Sequence, residues 1–177
     1  MKRNAAPSDR TNALFEQHDD KIVNLISQIR NTTRALIIRN GHILLIKKKY
    51  ENGKIRLAFP GGGQEVDETL IQALNRECVE EIGSEVEVRK LVHVADCFKP
   101  RDTIPLTTRH LVEFFFECTI DEDYTPRNGY QPDKHQVAVV WKDIARLEQT
   151  DIFFPELAPC LNRTEINDGP VYLGKFC

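Results

Sequence analysis

Three glutamates, Glu77, Glu80 and Glu81, stand at spacings of three and four residues. On a helix turning about 100° per residue such positions share a face, so three carboxylates would meet. Each pair at ~5 Å would repel by roughly 3 kcal/mol if the effective dielectric were about 20, whereas full solvation reduces this to a few tenths of a kcal/mol. A divalent cation held among them would turn repulsion into attraction, and hard oxygen donors of this kind suit Mg²⁺ or Mn²⁺. Arg76 adjoins the group and offsets part of its charge. Taken alone, an acidic helix face is most often a solvated face, so its setting decides the reading.

That setting has a definite order. A strand expected over Ile55 to Phe59 runs into Pro60-Gly61-Gly62-Gly63, where proline and three glycines stop regular pairing. Thr69 and Gln72 then form a T-x-x-Q capping box, which starts a helix at Leu70, and Gly83 suits the left-handed position beyond its end. The helix is expected over Leu70 to Ile82. Ile71, Leu74, Cys78 and Ile82 form its apolar stripe, and the three acids fall on the neighbouring stripe at the edge of the core.

Further elements support this unit. RALIIRN, Gly41 and HILLIKKK read as two strands joined by an Asn40-Gly41 turn. Strands are also expected at Val86 to Val94 or a little beyond, at His110 to Cys118 and at Gln136 to Trp141, with the polar stretch DEDYTPRNGYQPDKH as an exposed loop. A terminal helix is expected within Asp143 to Leu161, interrupted near Pro155. Ahead of the first strand, Leu14, Phe15, Ile22, Leu25, Ile26 and Ile29 recur at helical spacing. This amphipathic helix either packs on its own domain or serves a homodimer contact. The expected organisation is an N-terminal helical extension over 1–31, one main domain over 32–162 and a tail over 163–177. Strands and helices mix without strict β-α-β alternation, so the fold class is α/β, a mixed central sheet with helices on both faces.

Composition sets the outer bounds. A chain of 177 residues with 41% apolar and 29% charged side chains is that of a globular protein with one buried core. A net charge of −3 gives no field for a nucleic-acid polymer. Five cysteines, none in a CxxC pair, indicate neither a disulfide framework nor a zinc site, which fits a cytoplasmic setting. No stretch approaches the ~18 apolar residues of a membrane span, and the N-terminus has no apolar run of a signal segment.

The segment from Gly62 through Glu68 to Arg76-Glu77-Cys78-Val79-Glu80-Glu81-Ile82-Gly83-Ser84 resembles the Nudix box, G-x5-E-x7-R-E-U-x-E-E-x-G-U, where U is a bulky aliphatic residue. All its glycines, acids and its arginine are present. Cys78 and Ser84 depart from the two U positions, and neither removes a metal ligand. The resemblance implies a Nudix-like α/β/α sandwich in which Glu77, Glu80 and Glu81, with the Gly62 carbonyl, hold Mg²⁺, or alternatively Mn²⁺. It implies that Glu68 and Arg76 orient the cluster. The implied reaction is attack of water on phosphorus in a diphosphate bridge of a small phosphorylated substrate. Nucleoside triphosphates, nucleotide sugars and ADP-ribose all fit.

The general base is open. The usual downstream acidic position reads Asp133-Lys134-His135-Gln136, leaving Asp133 and Glu122 as candidates. Lys99, Arg101 and Arg109, within CFKPRDTIPLTTRH, are candidate substrate-binding cations or ordinary solvated ones. Two other readings compete: a nucleotide-binding or regulatory module of the same fold without turnover, and an isoprenoid diphosphate isomerase. The isomerase would need a cysteine or acid pair near a closed apolar pocket, and Cys97 is the only nearby cysteine.

Overall fold

The computed structural model describes residues 29–101, 107–149, 152, 155–157, 161 and 171–175. The helix expected over Leu14 to Arg30 lies outside them except for Ile29 and Arg30, and Arg30 opens the first strand. The elements in chain order are β1 (Arg30–Arg39), β2 (His42–Lys49), β3 (Ile55–Ala58), α1 (Leu70–Ile82), β4 (Glu87–Arg101), β5 (Thr107–Thr119) and β6 (Gln136–Asp143). Two 3₁₀ turns, Ile144–Gln149 and Pro155–Leu157, precede β7 (Tyr172–Lys175).

The seven strands form one mixed sheet in the order β3-β2-β1-β5-β4-β7, with β6 also paired to β2. Asn40 and Gly41 both have positive φ, as the tight β1-β2 turn requires. Beyond that turn β1 leaves β2 and pairs in parallel with β5, from Arg30 opposite Leu111 to Ile37 opposite Cys118. This parallel pairing lets the two strands share side-chain neighbours across about eighty positions of sequence.

Alternation along the central strands feeds two cores. Ala35, Ile37, Leu44 and Ile46 face Leu74, Cys78 and Ile82 of α1. Leu36, Ile43 and Leu45 point to the opposite face and meet Val92, Leu111, Phe115, Ile144, Leu147 and Leu157. The mixed α/β class is as expected, with α1 on one face. Among the described residues the other face is covered by the two 3₁₀ turns and by Leu161, which is helical; the rest of the span in which a terminal helix was expected lies outside the described residues. Pro155 opens the second turn, and a proline within a continuous helix would remove a hydrogen bond and clash with the preceding turn. No helix among the described residues is long and apolar enough to cross a membrane.

Three local expectations are corrected. Ile71 is 49% exposed, and Leu70 takes its place against the core, because the line along which a helix meets its sheet sets burial within the apolar arc. Strands β4 and β5 run on through the segment read as a basic loop, so Lys99, Pro100 and Arg101 are paired with Arg109, Thr108 and Thr107. Cys97, wholly buried in β4, is disulfide-bonded. The expectation of thiols without disulfides does not hold there.

Candidate active site

Helix α1 is fixed at both ends. Thr69 accepts from the Gln72 amide, the Gln72 side chain accepts from the Thr69 amide, and Gly83 takes the left-handed conformation. The stretch read as an exposed loop closes the other end. Its Gly129 and Gln131 amides donate to the Glu81 and Glu80 carbonyls at 2.9 and 3.0 Å, and the Tyr124 hydroxyl donates to the Ile82 carbonyl at 2.8 Å. These donors satisfy carbonyls that a helix end leaves without intrahelical partners, and they lock the turn that carries Glu80 and Glu81.

The glycine loop is pulled onto the same turn. The Gly61 amide donates to Glu81 Oε2 at 2.9 Å. Gly62 lies so close to Glu77 that a Cβ there would sit 2.4 Å from its carboxyl group, a space that only glycine leaves open. The Gly62 carbonyl accepts from the Thr33 amide at 2.9 Å, which anchors the loop to β1 and leaves its second lone pair available.

Arg76 sits at the centre of the acids. Its Nη2 and Nε donate to Glu68 at 2.7 and 3.1 Å, its Nη1 donates to Glu77 at 3.0 Å and Glu80 at 3.4 Å, and Nη2 also reaches the Gly63 carbonyl at 2.9 Å. Its hydrogen bonds to Glu68 raise the guanidinium pKa, and the same contact holds Glu68 below the usual carboxylate range. Burial does the opposite for two other acids. Desolvation raises Glu77 and pushes Glu81, which is only 4% exposed, up to about 7. The cleft therefore holds carboxylates whose charge is costly without a cation nearby.

Glu77, Glu80, Glu81, Gly61, Gly62 and Arg76 line one cleft. Among the described residues no three acids converge as a finished coordination shell in this arrangement, since Arg76 engages Glu77 and Glu80. The donor set nevertheless suits a hard cation: all donors are oxygen, the backbone is cut away at Gly62, and two acids are destabilised by burial.

Of the candidates outside the helix, Asp133 lines the cleft and pairs with Lys48, whereas Glu122 lies in a different groove with Arg39 and Asn40. The His135 ring lies tilted against that of Tyr50 with centroids 4.6 Å apart, and Gln136 donates to the Glu81 carbonyl at 2.6 Å. Lys99 and Arg109 line a neighbouring pocket. Arg101 is placed in β4, and its side chain lies outside the described residues.

Sequence reasoning missed Arg34 and Glu113. Glu113 is wholly buried, accepts from the Thr32 hydroxyl and from Arg34 Nε at 3.0 Å, and stands 3.7 Å from Lys99 Nζ. Burial opposes its charge, yet Arg34 and Lys99 hold its pKa below the usual value. Arg34 also donates to the Gly61 carbonyl, so the peptide at Gly61 is held between β1 and Glu81.

A family model for the NUDIX domain matches residues 29–162. No curated protein matches the chain. Among solved structures, a MutT NUDIX hydrolase from Burkholderia pseudomallei is 27% identical, covers 78% of this chain and 99% of its own, and gives a TM-score of 0.52. The E. coli ORF135 protein is 26% identical over 76% of this chain and 86% of its own, with a TM-score of 0.53. An ADP-ribose pyrophosphatase from Streptococcus suis is 23% identical over 84% and 98%, with a TM-score of 0.53, a likeness of fold.

Proposed function

The chain belongs to the Nudix family and is a Nudix-type pyrophosphohydrolase, and from that premise we propose that it uses Mg²⁺ to cleave a diphosphate linkage in a nucleoside diphosphate derivative. The observation that supports the metal-dependent reading is the shared cleft of Glu77, Glu80 and Glu81 against the bare backbone of Gly62. When bound, Mg²⁺ supplies polarisation of phosphoryl oxygens and a water of lowered pKa; Mn²⁺ offers the same chemistry.

The three glutamates and the Gly62 carbonyl are the proposed ligands. Arg76 and Glu68 orient them, and a cation held among the glutamates would take the carboxylate oxygens of Glu77 and Glu80 that Arg76 engages here. The Gly61 amide fixes one oxygen of Glu81. Arg34 and Lys48 line the same cleft, where their charge favours a phosphoryl anion. Asp133 is the candidate base on its placement, although its ion pair with Lys48 must open for it to take a proton from water. Substrates of the nucleoside triphosphate, nucleotide sugar and ADP-ribose type remain the proposed class, with Lys99, Arg101 and Arg109 as proposed substrate-binding residues.

The test is hydrolysis of a panel of nucleoside triphosphates, nucleotide sugars, ADP-ribose and isoprenoid diphosphates with Mg²⁺, the products being identified by mass. Release of two phosphate-terminated fragments, abolished by chelation, supports the reading. Binding without turnover across the panel would move the protein to the non-catalytic module, and a rearranged isoprenoid product would move it to the isomerases.

A further inference from the structure

Beside the carboxylate cleft lies a second cavity of about 240 Å³, joined to it through Arg34, Lys48 and Asp133, which line both. Its positive charge comes from Arg30, Arg34, Lys48, Lys99 and Arg109. The strand pairings explain how these residues come together. Arg30, Thr32 and Arg34 alternate on β1, and Arg30 and Thr32 stand opposite Leu111 and Glu113 of β5. Lys99 of β4 stands directly opposite Arg109 of β5.

Like charges directly opposite each other across antiparallel strands destabilise a sheet. Here the pair lies inside a cavity, where Lys99 has lost much of its hydration. Burial first, and then Arg34, Lys48 and Arg109, lower its pKa to about 8 in spite of Glu113. Among the described residues Asp133 pairs with Lys48, Glu113 pairs with Arg34 and Lys99, and the charges of Glu81 and Glu77 also act on Arg34. Among the described residues that line the cavity, five are cationic and one, Asp133, is acidic. The one aromatic ring in the lining, Phe59, is 1% exposed and packs edge-on against Phe115, so the described lining has no open face on which a base could stack. The charge is therefore arranged for an anion.

We propose that this cavity binds a phosphate group of the substrate that lies outside the scissile linkage, making Arg30, Lys99 and Arg109 the residues that select phosphate-rich substrates. The inference rests on the hydrolase reading above for the position of the scissile linkage in the carboxylate cleft. The preferred substrate then carries anions at two places: the diphosphate at the glutamates, and a further phosphate at the sheet surface. Arg30 extends over Gly63, where a Cβ would lie 2.6 Å from the guanidinium, so the glycine leaves this cation room in the cavity that both residues line.

Matched pairs of compounds test this: ADP-ribose against ADP-ribose phosphorylated on a ribose hydroxyl, and a nucleoside diphosphate against its triphosphate. The full chain is assayed with Mg²⁺ as wild type and as the Arg30→Ala/Arg109→Ala double variant. In parallel, inorganic phosphate is titrated calorimetrically into both proteins. Charge-assisted contacts of this kind correspond to a preference of roughly ten- to a hundredfold, expressed in KM. The expected result is such a preference for the more phosphorylated member of each pair, its collapse in the double variant, and weaker phosphate binding by that variant. Equal KM values within both pairs, or a preference unchanged in the double variant, overturn the inference and leave the hydrolase reading intact. If no compound is hydrolysed, that reading falls, and phosphate titration alone decides: weakened binding in the double variant upholds the anion site, and equal binding removes it.

Discussion

Gly61 and Glu81 are twenty residues apart and joined by a 2.9 Å hydrogen bond from the glycine amide to the glutamate Oε2, while the carbonyl of the same glycine accepts from Arg34. A strand, a loop and a helix are thereby held in one arrangement around a single residue. Gly61 can occupy that place because its φ is +125°, and a Cβ there would lie 2.1 Å from the Thr33 carbonyl oxygen. Positioning of a proposed metal ligand thus rests on a backbone conformation open essentially to glycine alone.

The two neighbouring glycines are expected to fail differently when replaced. Gly61→Ala brings Cβ into rigid backbone at an unfavourable φ and should lower stability by at least about 1–3 kcal/mol. Gly62→Ala meets the movable end of Glu77, so the fold should survive while kcat falls by roughly tenfold or more. Chemical denaturation and steady-state kinetics on both variants check this. Equal stability losses would show that Gly62 serves the backbone and not the carboxylate.

Arg76 makes five hydrogen bonds to four residues, using the planar fork of its guanidinium. Arg76→Lys keeps the charge and loses the fork. We expect kcat to fall by about tenfold or more and the concentration of Mg²⁺ needed for half-maximal activity to rise, as happens when residues behind metal ligands are changed. Normal activity and metal dependence in this variant would reduce Arg76 to a simple counter-charge.

Much of this site could be read directly from the chain, because its signals are local. The capping box at Thr69 and Gln72, the Gly83 stop and the acid spacing all lie within one helix and its flanks, and its bounds are those expected. Arg34 and Glu113 were missed because their meeting depends on β1 and β5 pairing in parallel. A signal was present: one arginine in TTRALII and one glutamate in LVEFFF are charges in apolar strands, and buried charges ordinarily need partners. The extent of β4 was hidden by Pro100. β7 meets β4 at Val94 and Asp96, so near Pro100 the described strand has β5 as its one neighbour, and a missing amide is tolerated beside an open edge.

Leu74 and Ile71 separate the apolar spacing of α1 from its burial. Leu74 is wholly buried and Leu74→Ala should cost about 2–5 kcal/mol, whereas Ile71→Ala, at a half-exposed position, should stay within roughly 1 kcal/mol. Urea midpoints for the pair provide the comparison. Similar losses would mean that the first turn of α1 is covered in solution.

The buried carboxyl of Glu81 should make stability depend on pH when divalent cations are withheld. Its pKa rises from the ordinary 4.5 to about 7 in the folded protein, first because burial penalises the charge, with only partial relief from the Gly61 amide and Arg34. A carboxyl with a raised folded pKa binds its proton more tightly in the folded state than in the unfolded one. Its contribution to stability is therefore complete below about 4.5 and is lost as pH climbs through about 7, a change on the order of 3 kcal/mol. The metal-free protein is thus expected to lose thermal stability between about pH 4.5 and 7, and Glu81→Gln, which cannot ionise, should show a much flatter profile. Mg²⁺ should restore stability most at the alkaline end, where the carboxylate is charged and ready to bind it. Melting temperatures of both proteins across this range, with chelator and with Mg²⁺, provide the measurement. An equally steep decline in Glu81→Gln would assign the pH dependence to another group, and a Mg²⁺ effect unchanged by the substitution would remove Glu81 from the proposed ligand set.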